Sequence, residues 1–330
     1  MVSLFSGAGA LDLGFDRTNK FEVTHSVEVE PSFCKTLETN GHLLSHTPSI
    51  VQVDIKDVDS RQLLDGVESN FLGVIGGPPC ESFSSMGKRK GTKDKRGLLV
   101  FEFSRIASDS SVDFFVMENV PDLLKIDNGS IFRELVSDFS GSGFLLSHAV
   151  LRACDFGAAT MRKRLFLVGV RGSEQFKFPE PTHFEPNSLW SNNAPTWHTV
   201  GDAIFDLPPP SEQSPGVVQA HVRVKHTPKV AQRFASLAQG SYDNVRKRSK
   251  LSVDRPSPSL VAGNLKGIRS HIHPTEPREL TSRESARLHG FPDEFTFEGT
   301  PAAIGKQIAN SVPIPMAEAV ARRLAEHLRL

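Results

Sequence analysis

Short apolar runs alternate with amphipathic stretches through the first half of the chain. Apolar runs of four to eight residues predict strands, and apolar residues spaced three or four apart between them predict helices. Regular alternation of the two predicts an α/β fold with a doubly wound, mostly parallel sheet. The predicted strands are residues 2–5, 23–27, 50–53, 71–75, 112–117, 145–151 and 165–170, and the predicted helices are residues 11–17, 32–40, 98–107 and 131–139.

The pattern changes after Val170. Residues 171–216 are rich in Pro, Ser and Asn and end in the run Leu207–Pro210, so they do not predict a regular helix, because proline removes backbone donors. Met316, Val320, Leu324 and Leu328 recur every four residues after Pro315 and predict a final amphipathic helix. At 330 residues, the chain is long enough for one large domain and a second, smaller one.

Composition and charge are those of a globular protein, with 38% hydrophobic and 23% charged residues. Lys+Arg and Asp+Glu number 38 each, so net charge does not indicate a polyanionic partner. Two local basic stretches, residues 88–96 and 223–250, are compatible with a nucleic-acid surface, although such runs are usually solvated loops.

Three widely spaced cysteines, Cys34, Cys80 and Cys154, show neither a disulfide framework nor metal-ligand spacing. We therefore expect a reducing compartment and no metal site. The N-terminus begins directly with an apolar strand, without the basic and apolar segments of a signal peptide, and no stretch is long enough to span a membrane. A cytoplasmic protein is expected.

Glycines and acids follow the first three predicted strands, where sheets of this kind bind ligands. Gly7 and Gly9 permit a tight turn, but Asp12 stands where a dinucleotide fingerprint has its third glycine. Glu28 and Asp54 end the next two strands, a pattern that suits a nucleoside. In this interpretation Glu28 binds the ribose, Asp54 the adenine amino group, and Phe5, Val29 and Ile55 the ring faces; a plain turn with surface carboxylates is the alternative.

Cys80 follows the fourth strand, after two glycines and two prolines that build a rigid corner. A lone cysteine is usually a buried hydrophobe, but packing alone does not need such a backbone. A nucleophile is indicated, and it must be activated because the thiolate is the reactive form. Glu118 follows the fifth strand beside it, and Arg162 and Arg164, two apart in an extended segment, face one side.

In this order the elements resemble the C5-cytosine DNA methyltransferase family of bacterial restriction–modification systems. The similarity leaves only about residues 172–275 without a shared pattern, and several of the matching segments are long and specific. They are residues 5–9, Glu28, Asp54, 77–80, 118–120, Arg162 with Arg164, 278–292 and 310–313.

The resemblance implies S-adenosylmethionine as methyl donor and a cytosine flipped out of double-stranded DNA as acceptor. The thiolate of Cys80 adds to cytosine C6, Glu118 supports N3, and Arg164 holds O2 with Arg162 assisting. We expect a monomer. The implied donor-site residues are Phe5, Ser6, Gly7, Gly9, Glu28, Val29, Asp54, Ile55, Pro78, Leu99, Asn310, Ser311 and Val312.

The resemblance also implies a division of the chain. Residues 1–172, completed by 300–330, form the catalytic, cofactor-binding domain; residues 173–277 form the target-recognition domain; and residues 278–299 form a hinge. The segment 84–96 matches the mobile active-site loop of the family. The implied DNA contacts are Ser84, Lys88, Arg89, Lys90 and Arg96 in that loop, and Arg223, Lys225, Arg246 and Arg248 in the recognition domain.

Four departures from the family pattern concern rate and stability. Glu81 stands where the family usually has Gln, and a carboxylate beside Cys80 would raise the pKa of the thiol. Thr160 replaces a Gln before Arg162, and Ala309 replaces a Gly, which is expected to crowd a turn near the cofactor. Only four residues precede Phe5, so the first strand is short.

Three alternatives remain at this point. A catalytically silent DNA-binding relative is disfavoured because the nucleophile, the acid and both arginines are present. A tRNA cytosine methyltransferase resembles the same family, but its Cys-Phe-Thr segment is absent between residues 172 and 275. A small-molecule methyltransferase would not need a long recognition insert.

Overall fold

The protein is described by a computed structural model that covers residues 1–65, 67, 71–79, 98–109, 111–188, 194–212, 218–260 and 271–330. Seven strands form one sheet in the order β3-β2-β1-β4-β5-β7-β6, and β7 alone runs antiparallel to its neighbours. The predicted doubly wound, mostly parallel sheet is confirmed, and the predicted strand ends agree to within about two residues. The strands are β1 (Val2–Leu4), β2 (His25–Glu28), β3 (Ser49–Gln52), β4 (Gly73–Gly76), β5 (Phe114–Asn119), β6 (Leu145–Arg152) and β7 (Lys163–Val170).

Helices cover both faces of this sheet and surround it at one end. Among the residues that the structure describes, none of these helices has both the length and the apolar character needed to cross a bilayer. They are α1 (Ala10–Asp16), α2 (Pro31–Asn40), α3 (Ser60–Asp65), α4 (Leu99–Ala107), α5 (Ser130–Gly141), α6 (Val200–Ile204), α7 (Pro228–Ser236), α8 (Ser282–Leu288), α9 (Pro301–Asn310) and α10 (Ile314–Leu328).

The interior strand β5 is buried on both faces, which explains its unbroken apolar run. Phe115 and Met117 belong to one hydrophobic cluster, with α4 and α5, whereas Phe114 and Val116 belong to the cluster formed with α1 and α10. Successive side chains of a strand point to opposite faces. Each face of the sheet therefore has its own core, and β5 is held rigidly between them.

The last helix, α10, returns to pack against α1 at the start of the chain. A Cβ atom at Gly14 would lie 2.5 Å from Cβ of Ala317, so the two helices approach more closely than an alanine there would allow. The predicted C-terminal helix is confirmed, although it begins at Ile314 rather than after Pro315. Proline is tolerated there because its missing N–H lies in the first turn.

Beyond β7 the chain is mostly irregular, as the proline-rich composition indicated. Between β7 and α8 the described residues contain α6, α7 and a small hairpin of β8 (Tyr242–Asp243) and β9 (Arg248–Ser249). A bridge between Thr160 and Ser257 ties this segment to the residues before β7. A separate hydrophobic cluster joins this segment to α8. Its members are Ala159, Val200, Ile204, Leu251, Leu280 and Leu288.

Candidate active site

A cavity of about 730 Å³ opens at the carboxyl ends of β1, β2, β4 and β5. This is the edge where open α/β sheets bind ligands, because the loops that follow the parallel strands converge there. It is lined, among others, by residues from the turn after β1, from the ends of β2 and β5, from the segment after β4 and from the connection between α9 and α10.

The turn after β1 is shaped by backbone conformations that few residues adopt. Phe5 and Gly7 have φ values of +53° and +59°, and Gly9, with φ +78°, begins α1. The carboxylate of Glu28 closes the turn, since it accepts hydrogen bonds from the backbone N–H groups of Gly7 (2.8 Å), Val29 (2.8 Å) and Glu30 (3.0 Å). Each carboxylate oxygen has more than one acceptor site, so Glu28 can also bind a ligand hydroxyl.

Asp12 lies beneath this turn rather than in the cavity. It is fully buried, and it accepts hydrogen bonds from the hydroxyls of Ser3 (2.6 Å) and Ser26 (3.0 Å). Burial raises the pKa of Asp12 to about 6, against the lowering effect of those two hydroxyls. The residue that replaces the third glycine of a dinucleotide fingerprint therefore ties β1 to β2.

The structure brings nearly all of the predicted donor-site residues together around the cavity. The exception is Gly9, which is not a lining residue; a Cβ atom there would lie 2.8 Å from Leu37. The lining residues that sequence analysis predicted are Phe5, Ser6, Gly7, Glu28, Val29, Asp54, Ile55, Pro78, Leu99, Asn310, Ser311 and Val312.

Several further lining residues were missed, among them Glu30, Phe33, Lys56, Lys306 and Gln307. Lys306 and Gln307 precede Asn310 by four and three residues on α9, so the helical period placed them on the same side. That spacing is visible in the sequence. Phe33 follows Glu28 by five residues across a strand-to-helix turn, and its position depends on how α2 packs.

Glu118 and Arg164 form an ion pair at the floor of the cavity, with Nε of Arg164 2.7 Å from Oε1 of Glu118. Both side chains are largely buried. Burial raises the pKa of Glu118, although the positive charges of Arg164 and Arg162 act in the opposite direction. A Cβ atom at Gly77 would lie 2.8 Å from Oε2 of Glu118, so the segment after β4 needs glycine here.

Cys80 lies outside the residues that the structure describes, as do Glu81, Ser84, Lys88, Arg89, Lys90 and Arg96. The chain just before Cys80 is anchored, because the side-chain amide of Asn119 donates a hydrogen bond to the carbonyl of Pro78 (2.8 Å). Pro79 also lines the cavity. Residues 77–79, the last described residues before Cys80, therefore lie beside Glu118 and Asn119.

Arg162 is placed differently from its prediction. It does not line the cavity; its guanidinium is buried and donates to the carbonyls of Leu260 (3.0 Å) and Ala309 (2.6 Å). Burial lowers the pKa of Arg162 to about 9. Arg162 does not line the cavity beside Arg164, although its charge acts on Glu118, so its assisting role in the pocket stays a prediction.

Arg162 instead joins Leu260, in the stretch between β7 and α8, to Ala309 beside the loop that lines the cavity. Near it, Nδ1 of His289 lies 2.9 Å from the hydroxyl of Ser311, which donates to the carbonyl of Ile308. Burial, with the positive charge of Arg162, lowers the pKa of His289 well below its ordinary value, so the ring is neutral. Together these residues brace the turn between α9 and α10.

Two departures from the family pattern are also located. Ala309 lies within α9, one residue before the helix ends, so it does not crowd a turn as expected; its carbonyl accepts from Arg162. Thr160 is buried, and its hydroxyl donates to the carbonyl of Ser257 (3.3 Å). Thr160 therefore ties the residues before β7 to Ser257.

Two of the predicted DNA-contacting residues that the structure describes form ion pairs within the protein. Nε of Arg223 lies 3.0 Å from Glu212, and Nε of Arg248 lies 2.6 Å from Glu279, with Arg248 only 18% exposed. Lys225 and Arg246 are exposed. The basic stretch 223–250 is therefore not a uniform cationic surface.

Comparison with known proteins decides the family. The sequence model of the C-5 cytosine-specific DNA methylases matches residues 1–326. The chain belongs to this family. The predicted resemblance is confirmed, and so is the expectation of a DNA cytosine-5 methyltransferase.

Curated relatives agree with this family assignment. The Type II methyltransferase M1.HphI of Haemophilus parahaemolyticus is 33% identical over 335 residues, which cover 97% of this chain and 85% of the relative. The Type II methyltransferase M.FnuDI of Fusobacterium nucleatum is 30% identical over 354 residues, covering 99% and 94%.

Solved structures support the fold of this C-5 cytosine-specific DNA methylase. A crystal structure described as a candidate DNA modification methyltransferase encoded within a prophage of Escherichia coli has a TM-score of 0.80 at 26% identity, covering 100% of this chain and 99% of that one. Spodoptera frugiperda DNMT2 has a TM-score of 0.66 at 15% identity, which shows a shared fold.

Proposed function

We propose that the protein transfers a methyl group from S-adenosylmethionine to C5 of one cytosine in a short duplex DNA sequence, through a covalent bond between Cys80 and C6. The observation that carries this proposal is the buried ion pair of Glu118 and Arg164 on the floor of the cavity. A carboxyl group and a guanidinium side by side match the N3 and O2 edge of a cytosine.

The cavity fits the donor in its chemistry. Its lining includes Glu28, Glu30 and Asp54, whose carboxylates can accept hydrogen bonds from ribose hydroxyls and an amino group. Phe5, Val29 and Ile55 offer apolar surface for an adenine ring. When bound, the donor supplies an electrophilic methyl group on a sulfonium.

Glu118 is placed to take up a proton and hold it at cytosine N3. Burial raises the pKa of Glu118, so the protonated carboxyl persists to a higher pH than that of an exposed glutamate. Arg164 donates to O2 while its charge moderates that shift. Both groups act on the ring, which must accept electrons when the nucleophile adds.

Cys80 is the nucleophile in this proposal. Its thiolate adds to C6, the electron pair of the C5–C6 bond reaches C5, and C5 bonds to the donor methyl while the methyl–sulfur bond breaks. Loss of the C5 proton to a base then restores the double bond and expels the thiolate. Asn119 holds the carbonyl of Pro78, two residues before Cys80.

The target base must leave the duplex, because neither face of a stacked cytosine is accessible to a thiol. Phosphates and bases of the DNA are contacted by basic residues of the segment 84–96. They are also contacted by exposed cations of residues 173–277, the proposed recognition segment, such as Lys225 and Arg246. Because the relatives are Type II methyltransferases, we propose the protective methylase of a restriction–modification system, active as a monomer.

The first test identifies the nucleic acid that accepts the methyl group. Purified protein and labelled donor are incubated with duplex DNA or with tRNA, and bisulfite sequencing locates the product. We expect transfer to one cytosine of a short DNA sequence, and transfer to tRNA alone would overturn the proposal.

The mechanism has its own test. Cys80→Ser should abolish turnover and keep DNA binding within about a few-fold, with Cys34→Ser as the matched control. Duplexes that carry 5-fluorocytosine at the target should form a stable protein–DNA adduct, since fluorine cannot leave as a proton. A Cys80→Ser variant that turns over normally, or the absence of an adduct, contradicts the mechanism.

A further inference from the structure

A small hairpin projects from the recognition segment. Its strands pair Tyr242 with Ser249 and Asp243 with Arg248, and four residues, 244–247, form the turn between them. Lys247 completes the turn with φ +56°, a left-handed conformation that is unfavourable for residues other than glycine. The turn is thus held in one defined shape.

Asp243 holds that shape from inside. Its side chain is fully buried, and its carboxylate accepts hydrogen bonds from the N–H groups of Val245 (3.1 Å) and Arg246 (3.3 Å) and from Nε of Arg233 on α7 (2.8 Å). The turn of residues 244–247, which forms the tip of the hairpin, is therefore anchored to α7. It does not need a ligand to become ordered. Preorganised contact surfaces bind with a smaller entropic loss.

The side chains of the tip point into solvent. Val245 is 65% exposed and Tyr242, the only tyrosine of the chain, is 51% exposed. Asn244, Arg246 and Lys247 are exposed as well. One turn thus presents exposed apolar, amide and guanidinium groups together, and loops held by a rigid scaffold commonly carry binding residues.

The neighbouring cations are arranged differently. Arg248 at the base of the hairpin is paired with Glu279, and Arg223 is paired with Glu212 and Glu276. Arg246 forms no ion pair with any residue in the described parts of the chain. The acids therefore neutralise the base of the hairpin and leave the guanidinium of the tip available.

From this arrangement, and resting on the function proposed above, we propose that residues 244–247 read the target sequence in the major groove, with Arg246 as a specificity-determining residue. A two-stranded ribbon fits the major groove, where arginine binds the O6 and N7 edge of guanine, asparagine the edge of adenine, and apolar groups the methyl of thymine. Arg246, Asn244 and Val245 supply these three kinds of contact from consecutive positions.

The hairpin is also connected to the catalytic side of the molecule. The backbone N–H of Leu251 donates to the carbonyl of Ile272, and the chain then reaches Ser257, which pairs with Thr160. Arg164, which forms the ion pair with Glu118, follows Thr160 by four residues. Ordered backbone therefore links the hairpin to the strand that carries Arg164.

The experiment is a binding selection from duplexes randomised around one cytosine, followed by sequencing of the bound fraction. It compares the unaltered protein with Arg246→Ala, Arg246→Gln and Asn244→Ala. Lys229→Ala, which removes an exposed cation from the adjacent α7, is the matched control. The tip residues are exposed, so these variants should fold, and circular dichroism checks this.

We expect Arg246→Ala to lose the preference at one base position by roughly 5- to 150-fold and to keep the preferences at the other positions. Arg246→Gln should move the preference at that position from guanine towards adenine. Lys229→Ala should weaken all sequences alike, if it changes binding at all.

Two outcomes would overturn the proposal: unchanged preferences in Arg246→Ala, as expected if the tip binds another protein, or a uniform loss with a shallower salt dependence, as expected of a phosphate contact. The selection does not depend on methyl transfer. A protein that selects one sequence but transfers no methyl group therefore refutes the proposed function and still tests the hairpin.

Discussion

Nε of Arg164 lies 2.7 Å from Oε1 of Glu118, although the two residues belong to strands that run in opposite directions. Glu118 is near the end of β5 and Arg164 is near the beginning of β7. Because β7 is the antiparallel strand, its beginning lies beside the end of β5, at the edge where the cavity opens. The reversed strand is what delivers the arginine to the carboxylate.

Glu118→Gln should reduce the rate of methyl transfer by about 100-fold or more, because an amide cannot donate a proton to N3 as a carboxyl group does. The affinity for the donor, measured by calorimetry, should change much less. Glu318→Gln, at an exposed ion pair on α10, is the control and should leave both quantities unchanged. A variant at position 118 with nearly normal single-turnover rate would exclude the proposed proton donor.

Replacement of Arg164 by Leu should move the pH profile of methyl transfer. Burial raises the pKa of Glu118 and Arg164 lowers it, so loss of the guanidinium raises that pKa further. If the protonated carboxyl is the active form, the rate falls as pH rises through this pKa, and the descending limb shifts to higher pH. Arg164→Lys retains the charge and should retain the limb. A shift to lower pH would contradict the assignment.

Arg162→Lys distinguishes a bracing role from a base contact. Lysine keeps the charge but cannot bond to the carbonyls of Leu260 and Ala309 together, so the free energy of unfolding should fall by about 2 kcal/mol. Urea denaturation measures this, and Arg322→Lys on the surface of α10 should change it by less than about 0.5 kcal/mol. Unchanged stability with a loss of methyl transfer would favour the contact predicted from sequence.

Asp12→Asn should flatten the pH dependence of stability between about pH 4 and 6. Burial raises the pKa of Asp12 to about 6 in the folded protein, so ionisation on going from pH 4 to pH 7 destabilises the fold by about 2 kcal/mol. The asparagine variant lacks this contribution. Unfolding free energies at both pH values measure the difference, with the exposed Asp122→Asn as control; an equal pH dependence in Asp12→Asn and the unaltered protein would contradict the shift.

Val29→Trp should tighten donor binding. Val29 lines the cavity and is still 54% exposed, so an indole there gains stacking surface against a bound adenine. We expect the dissociation constant of S-adenosylhomocysteine to fall about 5-fold by calorimetry. Val245→Trp, at the hairpin tip, should leave it unchanged. Weaker binding by Val29→Trp would mean that the adenine does not lie on this face.

Some of the site was predictable because chain order alone places it. Glu28 and Asp54 end parallel strands, and such ends meet at one edge of a sheet, so a strand pattern was sufficient to bring them together. The Thr281 and Glu284 capping box that begins α8 was equally visible in the sequence, but that helix was not predicted. Helix α8 could therefore have been predicted from this capping box.

Arg162, Arg223 and Arg248 show where such prediction ends. Two arginines two positions apart suggested one shared pocket, yet Arg162 is buried and its guanidinium donates to the carbonyls of Leu260 and Ala309. Arg223 and Arg248 belong to a basic run, yet Glu212 and Glu279 neutralise them. These partners lie far away in sequence or in irregular segments that have no period.

The amino-acid sequence by itself determined the strand–helix alternation, the edge of the sheet that carries the site and the family. Apolar periodicity and strand-end motifs are local properties, which follow from residues a few positions apart. Tertiary structure decided which charged groups are buried, which are paired and which remain exposed on the hairpin. Those properties depend on contacts between residues distant along the chain, whose energies are set by desolvation and by the distance between charges.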